Sequence, residues 1–221
     1  MRTNTAQITL KDITKNYGSR RILDGINMEI SQGDFICIFG KSGGGKSTLL
    51  NIMGTLETYD VGAVRCFSID DPVKNSRKGA ELRRYKIAYL FQNFALVDRM
   101  TVKENMLLAS RYASIKNKNE AIEEALSRVG IEEKLNSKVF ELSGGEQQRV
   151  ALARNLVKPF EILLADEPTG SLDRDNKEMV MKNLLALNDE GKTVVVVSHD
   201  EDFKRIAKKN YVIKDGKIQQ I

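Results

Sequence analysis

Long apolar runs are missing from this 221-residue sequence. Its most apolar stretches, Ile36 to Phe39, Ile162 to Ala165 and Val194 to Val197, fall far short of the ~20 residues that a bilayer-spanning helix needs. The chain is therefore expected not to cross a membrane by itself. No apolar segment near residue 1 has the length of a signal peptide, which makes the cytoplasm the expected compartment. Cysteine is scarce too: Cys37 and Cys66 have neither metal-ligand spacing nor a disulfide framework, so Cys37 reads as core and Cys66 as incidental. Histidine occurs once, at position 199, and there is no internal repeat or low-complexity tail. Neither charge dominates. With 35 basic and 30 acidic residues the net charge is +5, scattered along the chain, so basicity singles out no nucleic-acid or lipid partner.

What is present suits a folded chain, with 41% apolar residues arranged in recognisable periods. Ile8, Leu10 and Ile13, then Leu23, Ile26, Met28 and Ile30, alternate loosely around a turn-like segment, as strands with one buried face do. Phe35 to Phe39 is a continuous apolar strand that runs into a glycine-rich loop, and Lys46 to Met53 reads as a buried helix. Ile87 to Leu90, Glu161 to Ala165 and Thr193 to Val197 complete a set of strands apolar enough to be covered on both faces, the mark of a parallel central sheet.

Between these strands the character turns helical. Thr101 and Glu104 have capping-box spacing before one helix, and Ile122, Ala125, Leu126 and Val129 mark another that Gly130 ends. Further helices are expected from Ser143 to about Val157 and from about Asn176 to Asn188. Asp215-Gly216 between apolar residues reads as a closing hairpin.

Three constellations carry chemistry. Gly40, Lys41, Ser42, Gly43, Gly44, Gly45, Lys46 and Ser47 match G-x-x-x-x-G-K-[ST] between an expected strand and an expected helix. A triphosphate needs a loop turned tightly enough for successive N–H groups to point inward, which glycines permit. Lys46 then reaches the β and γ phosphates and Ser47 holds Mg²⁺ through its hydroxyl. The plain alternative is a glycine-rich turn that merely precedes a helix.

Asp166 and Glu167 follow the strand Ile162 to Ala165, at the sheet's C-terminal edge where open parallel sheets bind ligands. Asp166 suits the Mg²⁺ shell, and Glu167 suits a role as acceptor of a proton from attacking water. Both carboxylates would otherwise simply cap the turn into Pro168. The third constellation is Leu142 to Arg149. Ser143 and Glu146 have the spacing of an ordinary capping box, which leaves Gly144 and Gly145 unexplained. Two glycines beside a hydroxyl at a helix start also make an anion site. Since the chain has one Lys46 loop, a second phosphate-facing site points to nucleotide brought by another copy.

Taken in order, the phosphate loop, Leu142 to Arg149, Asp166-Glu167-Pro168-Thr169, Ser171-Leu172-Asp173 and Ser198-His199-Asp200 resemble ATP-binding cassette proteins over essentially the whole chain. The resemblance implies an α/β P-loop NTPase fold, with a RecA-like core, an N-terminal antiparallel β subdomain and a helical insert. Residues 1–92 and 142–221 would form the nucleotide-binding core with its β subdomain, and 93–141 the helical subdomain.

The resemblance also implies ATP hydrolysis with Mg²⁺ in a head-to-tail dimer. Each nucleotide would lie between Gly40 to Thr48 of one copy and Ser143, Gly144, Gly145 and Glu146 of the other. Tyr17 would stack on adenine, Gln92 would sense Mg²⁺ and the attacking water, and His199 would meet the γ phosphate. Asp173 would cross the dimer interface. The chain would sit on the inner face of the membrane through a separate permease subunit docked near the helical insert, where Phe94, Leu96 and Met100 are candidates either for that contact or for the core.

Within the family, Tyr89 to Leu96 and the Thr101 helix start are similar to the macrolide-exporter and lipoprotein-release group. Leu90 to Val97 is similar to bacteriocin-export subunits of Gram-positive bacteria, so export of a bacteriocin or related peptide is the first expectation. A cell-division ATPase or a lipoprotein-release ATPase is the alternative. The sequence departs from the family's usual wording at Lys41, Gly44 and Asn155, none of which supplies a catalytic group.

Overall fold

The computed structural model describes residues 5–170 and 172–221, so Ser171, part of the family resemblance, lies outside the described residues. The alternating segments near the N-terminus form β1 (Ala6–Tyr17) and β2 (Arg20–Ser31), an antiparallel pair joined at Gly18. The continuous apolar strand is β3 (Phe35–Gly40), and α1 (Lys46–Met53) follows the glycine-rich loop.

Three elements then occupy a region with no apolar period: β4 (Val61–Cys66), β5 (Ile69–Asp70) and α2 (Arg77–Tyr85). Val61, Gly62 and Ala63 are exposed, so β4 is held by pairing with β1 and by just two buried side chains, Val64 and Cys66. Helix α2 is largely charged and buries Gly79 and Leu82; it starts where Ser76 Oγ accepts the Gly79 N–H at 3.0 Å. Strand β4 also corrects the reading of Cys66, which is fully buried in the core, where burial pushes its thiol up to about 12.

After β6 (Ile87–Leu90), the Thr101–Glu104 capping box forms as the spacing indicates and opens α3 (Val102–Ala109). Helix α4 (Lys118–Arg128) stops just before Gly130, whose φ of 63° suits only a residue tolerant of the left-handed region. The remaining elements are α5 (Gly144–Leu156), β7 (Ile162–Asp166), α6 (Arg174–Asp189), β8 (Thr193–Val197), α7 (Asp202–Ile206), β9 (Lys209–Lys214) and β10 (Lys217–Gln220). The last two strands are the hairpin expected at Asp215-Gly216.

The strands assort into two sheets, a four-stranded one in the order β2-β1-β4-β5 and a six-stranded one in the order β10-β9-β3-β8-β7-β6. In the larger sheet β9, β3, β8, β7 and β6 run parallel, and β10 is antiparallel to β9. Successive residues on these strands enter different cores. Phe35 and Cys37 of β3 pack with α5 and the helical insert, whereas Ile36 and Ile38 pack with α1 and the smaller sheet. Burial of both faces explains why the strands read as unbroken apolar runs. The first of these cores is continuous from the sheet through α5 to Met106 and Leu126 of the insert, so α5 belongs to both regions. Phe94 and Leu96 pack half-buried against it. Among the described residues, no helix is long and apolar enough to cross a membrane.

Candidate active site

The glycine-rich loop is shaped by contacts that exclude side chains. A Cβ on Gly40 would lie 2.7 Å from the Ile213 carbonyl oxygen on neighbouring β9, and one on Gly44 would lie 2.9 Å from the Lys41 carbonyl. Gly43 and Gly45 have φ of 71° and 95°, and Gly45 occupies the N-cap of α1, where no side chain caps the helix. An uncapped helix start leaves N–H groups free at the positive end of the helix dipole, the chemistry of a phosphate site.

The loop opens on a cavity of about 500 Å³. Ser42, Gly43, Gly45, Lys46, Ser47 and Thr48 line one side, while Gln92, Glu167 and His199, from the ends of three parallel strands, face them; Tyr17 stands at the rim. Sheet order makes this convergence possible, because β3, β8, β7 and β6 are neighbours and all end on the same edge. Lys41, Gly40 and Gly44 instead border a separate cavity beside Lys214 and Gly216. Gly40 and Gly44 thus shape the loop through their backbone.

The side chains in the cavity engage one another. Lys46 Nζ donates to the carbonyls of Gly40 at 2.8 Å and Lys41 at 3.3 Å, and lies 3.5 Å from Glu167 Oε1. Ser47 Oγ donates to Asp166 Oδ1 at 2.9 Å. Burial pushes the Asp166 carboxyl above the usual carboxylate range, opposed by the Ser47 hydrogen bond and reinforced by the charge of Glu167. Glu167 sits at φ 44°, a strained conformation for a residue with a side chain, and its Oε2 lies 2.9 Å from His199 Nδ1 and 3.2 Å from Ser198 Oγ. With the proton on Nδ1, His199 donates to Glu167 and leaves Nε2 as an acceptor.

Tyr17 is half-exposed. Its hydroxyl donates to Glu57 at 3.2 Å and Lys15 Nζ stands 5.1 Å from the ring centre, so the ring is steadied at the cavity rim. The Ser47–Asp166 pair, with Gln92 nearby, is a set of hard oxygen donors suited to Mg²⁺ that also keeps phosphate and water ligands.

Ser143, Gly144, Gly145, Glu146 and Asp173 do not line this cavity. Ser143 caps α5, with its Oγ accepting the Glu146 N–H at 3.3 Å and Glu146 Oε2 accepting the Ser143 N–H at 2.7 Å. A Cβ on Gly144 would meet nothing within 4 Å, whereas one on Gly145 would lie 2.5 Å from the Asn176 side chain on α6. Gly145 therefore has a reason within its own chain, and Gly144 alone keeps an open face. Asp173 caps α6 through the Asn176 N–H at 2.9 Å and is exposed.

Sequence reasoning missed the side chains that brace these groups. Lys177 bridges Asp200 and Asp202, with Asp200 at 2.8 Å, and Asp200 also accepts from Thr169 at 3.2 Å. Asn155 donates to the Tyr89 carbonyl. These partners lie 23 to 66 residues apart, beyond any local pattern.

A family description reading "ABC transporter" matches residues 23–170, from β2 through the Glu167 turn. The chain belongs to the ABC transporter family. The activity that goes with this cassette fold is ATP hydrolysis. The macrolide export ATP-binding/permease protein MacB of Campylobacter jejuni is 41% identical over 213 residues, covering 96% of this chain and 33% of that protein. The lipoprotein-releasing system ATP-binding protein LolD of Bacteroides thetaiotaomicron is 41% identical over 219 residues, covering 96% of this chain and 99% of the relative. The chain thus spans about a third of the first relative's length and nearly all of the second's. The dimeric structure of MJ0796, a bacterial ABC transporter cassette, superposes with a TM-score of 0.89 at 38% identity over 96% of both chains. A post-hydrolysis dimer of the same cassette with ADP and Pi gives 0.89 at 36% identity, over 97% of both chains.

Proposed function

We propose that this chain is the ATP-hydrolysing subunit of a transport system, in which two copies close head to tail over two MgATP molecules and thereby drive a separate membrane subunit. The carrying observation is the division of labour within one chain. Lys46, Ser47, Gln92, Glu167 and His199 share a cavity, while Ser143 and the open face of Gly144 lie outside it. A second copy supplying Ser143 would complete each site.

In this reading the uncapped start of α1 receives the phosphates. Lys46 would exchange the Gly40 and Lys41 carbonyls for the β and γ phosphates, and Ser47 and Asp166 would hold the cation. Mg²⁺, when bound, neutralises charge on the phosphate oxygens. Release of Lys46 frees Glu167 to accept a proton from water. His199 Nδ1 lies 2.9 Å from Glu167 Oε2, so donation from that nitrogen to phosphate requires the contact to break. Nucleotide binding and the rearrangement of Lys46, Glu167 and His199 are then one event, which makes hydrolysis conditional on closure.

Concerning cargo, the bacteriocin reading rests on Leu90 to Val97 alone. The relatives favour the alternative: a lipoprotein-releasing ATPase is matched over nearly its whole length. We therefore assign lipoprotein release, or extrusion of a similarly amphipathic substrate, as the better-supported transport role, with the chain held at the inner membrane face by its permease partner. Purification of the native complex tests this. Recovery with a lipoprotein-releasing permease supports the assignment, and recovery with a cell-division apparatus overturns it.

A further inference from the structure

Among the described residues, strand β6 is an edge of the six-stranded sheet, with β7 as its one strand neighbour. Along its open side the end of α5 and Lys158, two residues beyond it, take the place of a strand. Asn155 Nδ2 donates to the Tyr89 carbonyl at 3.1 Å, and Lys158 Nζ donates to the Ile87 carbonyl at 2.7 Å. Past β6 the chain runs through Gln92 and turns at Phe94 and Ala95, consecutive non-glycine residues with φ of 62° and 49°. The guanidinium of Arg154 takes both of their carbonyls, that of Phe94 at 2.9 Å and that of Ala95 by a second donor. Gln92 is thus bracketed by two grips from adjacent residues of one helix, Asn155 on the strand before it and Arg154 on the strained turn after it. The other end of that helix, roughly 20 Å away at ~1.5 Å per residue, begins at Ser143 and the open Gly144.

We propose that Arg154 and Asn155 are positioning residues that tie Gln92 to α5, so that engagement of Ser143 by a second copy sets where Gln92 stands at the metal and water site. This inference rests on the roles given above to Gln92 and Ser143. Neither Arg154 nor Asn155 lines the nucleotide cavity, so their loss acts on turnover rather than on nucleotide affinity. Asn155 is also the one departure from the family's usual wording that neither the phosphate loop nor the proposed chemistry explains, and its amide, held by the Tyr89 and Ala151 carbonyls, gives it a use.

The test measures steady-state ATPase activity, ATP affinity and thermal unfolding for Arg154→Gln, Arg154→Lys, Asn155→Ala and Gln92→Ala, alone and combined. Arg154→Gln is expected to lower kcat roughly tenfold with less than about a twofold change in KM for ATP, and Arg154→Lys, which lacks the planar fork, to recover about half of the loss on a logarithmic scale. Asn155→Ala is expected to cost roughly threefold in kcat with folding intact. In the Gln92→Ala background both changes should cost less than about twofold further, because residues acting as one unit are not additive. If Arg154→Gln does not fold, Asn155→Ala in the same cycle decides. Full activity in the variants while Gln92→Ala is impaired, or losses that simply multiply, would overturn the positioning role alone. Unimpaired Gln92→Ala protein would instead overturn the role of Gln92 and this inference with it.

Discussion

Lys46 and Glu167 lie 3.5 Å apart, both nearly buried, and pair with each other across the cavity. Replacing Glu167 with Gln removes the charge that holds Lys46 while leaving the shape intact. Glu167→Gln is therefore expected to bind ATP at least as tightly as the unaltered chain and to lose turnover by about 10²-fold or more, the usual worth of a positioned base. Equilibrium binding together with phosphate release checks both halves. Unchanged kcat would remove Glu167 from the chemistry.

The separation of Ser143 from its own chain's cavity leads to a mixing experiment. Lys46→Ala and Ser143→Ala chains should each be inactive. Mixed, about half of the dimers are heterodimers with one intact composite site of two, so about a quarter of full activity should return. Mixtures as inactive as their components would refute the shared site.

Tyr17 is steadied by Glu57 and Lys15 at the cavity rim. Aromatic stacking on a base is worth ~1 kcal/mol, so Tyr17→Ala should raise KM for ATP about fivefold with kcat little changed. A titration of rate against ATP at saturating Mg²⁺ makes the comparison, and an unaltered KM would place adenine elsewhere.

Lys158 is half-buried beside Arg154 and Arg83, and loss of solvent first, then those two charges, push its amine down from 10.5 to about 8. In the unfolded chain the amine keeps its proton to higher pH. Between about pH 8 and 10.5 the unfolded state therefore binds more protons, and the contribution of Lys158 to stability rises with pH through that window. Below it both states are protonated and the cost of the buried charge is fully present. Urea unfolding from pH 7 to 10 should show this upward contribution in the unaltered protein and its loss in Lys158→Met. Parallel pH profiles would mean that Lys158 keeps its proton throughout.

Local features were legible in the sequence. The phosphate loop needs only its own glycines, Lys46 and Ser47 in one run of eight residues, and the Thr101–Glu104 and Ser143–Glu146 boxes form from residues three apart. The parallel strands announced themselves because burial on both faces demands unbroken apolar side chains. Strands β4 and β5 and helix α2 stayed hidden because they bury so few side chains of their own, β4 only Val64 and Cys66 beside its pairing with β1, and α2 a single leucine. Cys66 looked incidental for the same reason.

The sequence by itself determined that a strand, an anion-binding loop and a helix follow one another, that two carboxylates end a buried strand, and that a second glycine turn caps a helix. Each is dictated by residues adjacent on the chain, whose conformational preferences act over a few bonds. The tertiary structure alone decided that Lys46 is held by Glu167 across 121 residues, that His199 Nδ1 meets that same carboxylate, and that α5 grips both sides of Gln92. Those contacts depend on the order of strands in the sheet, which packing of the two cores sets and which no local preference encodes.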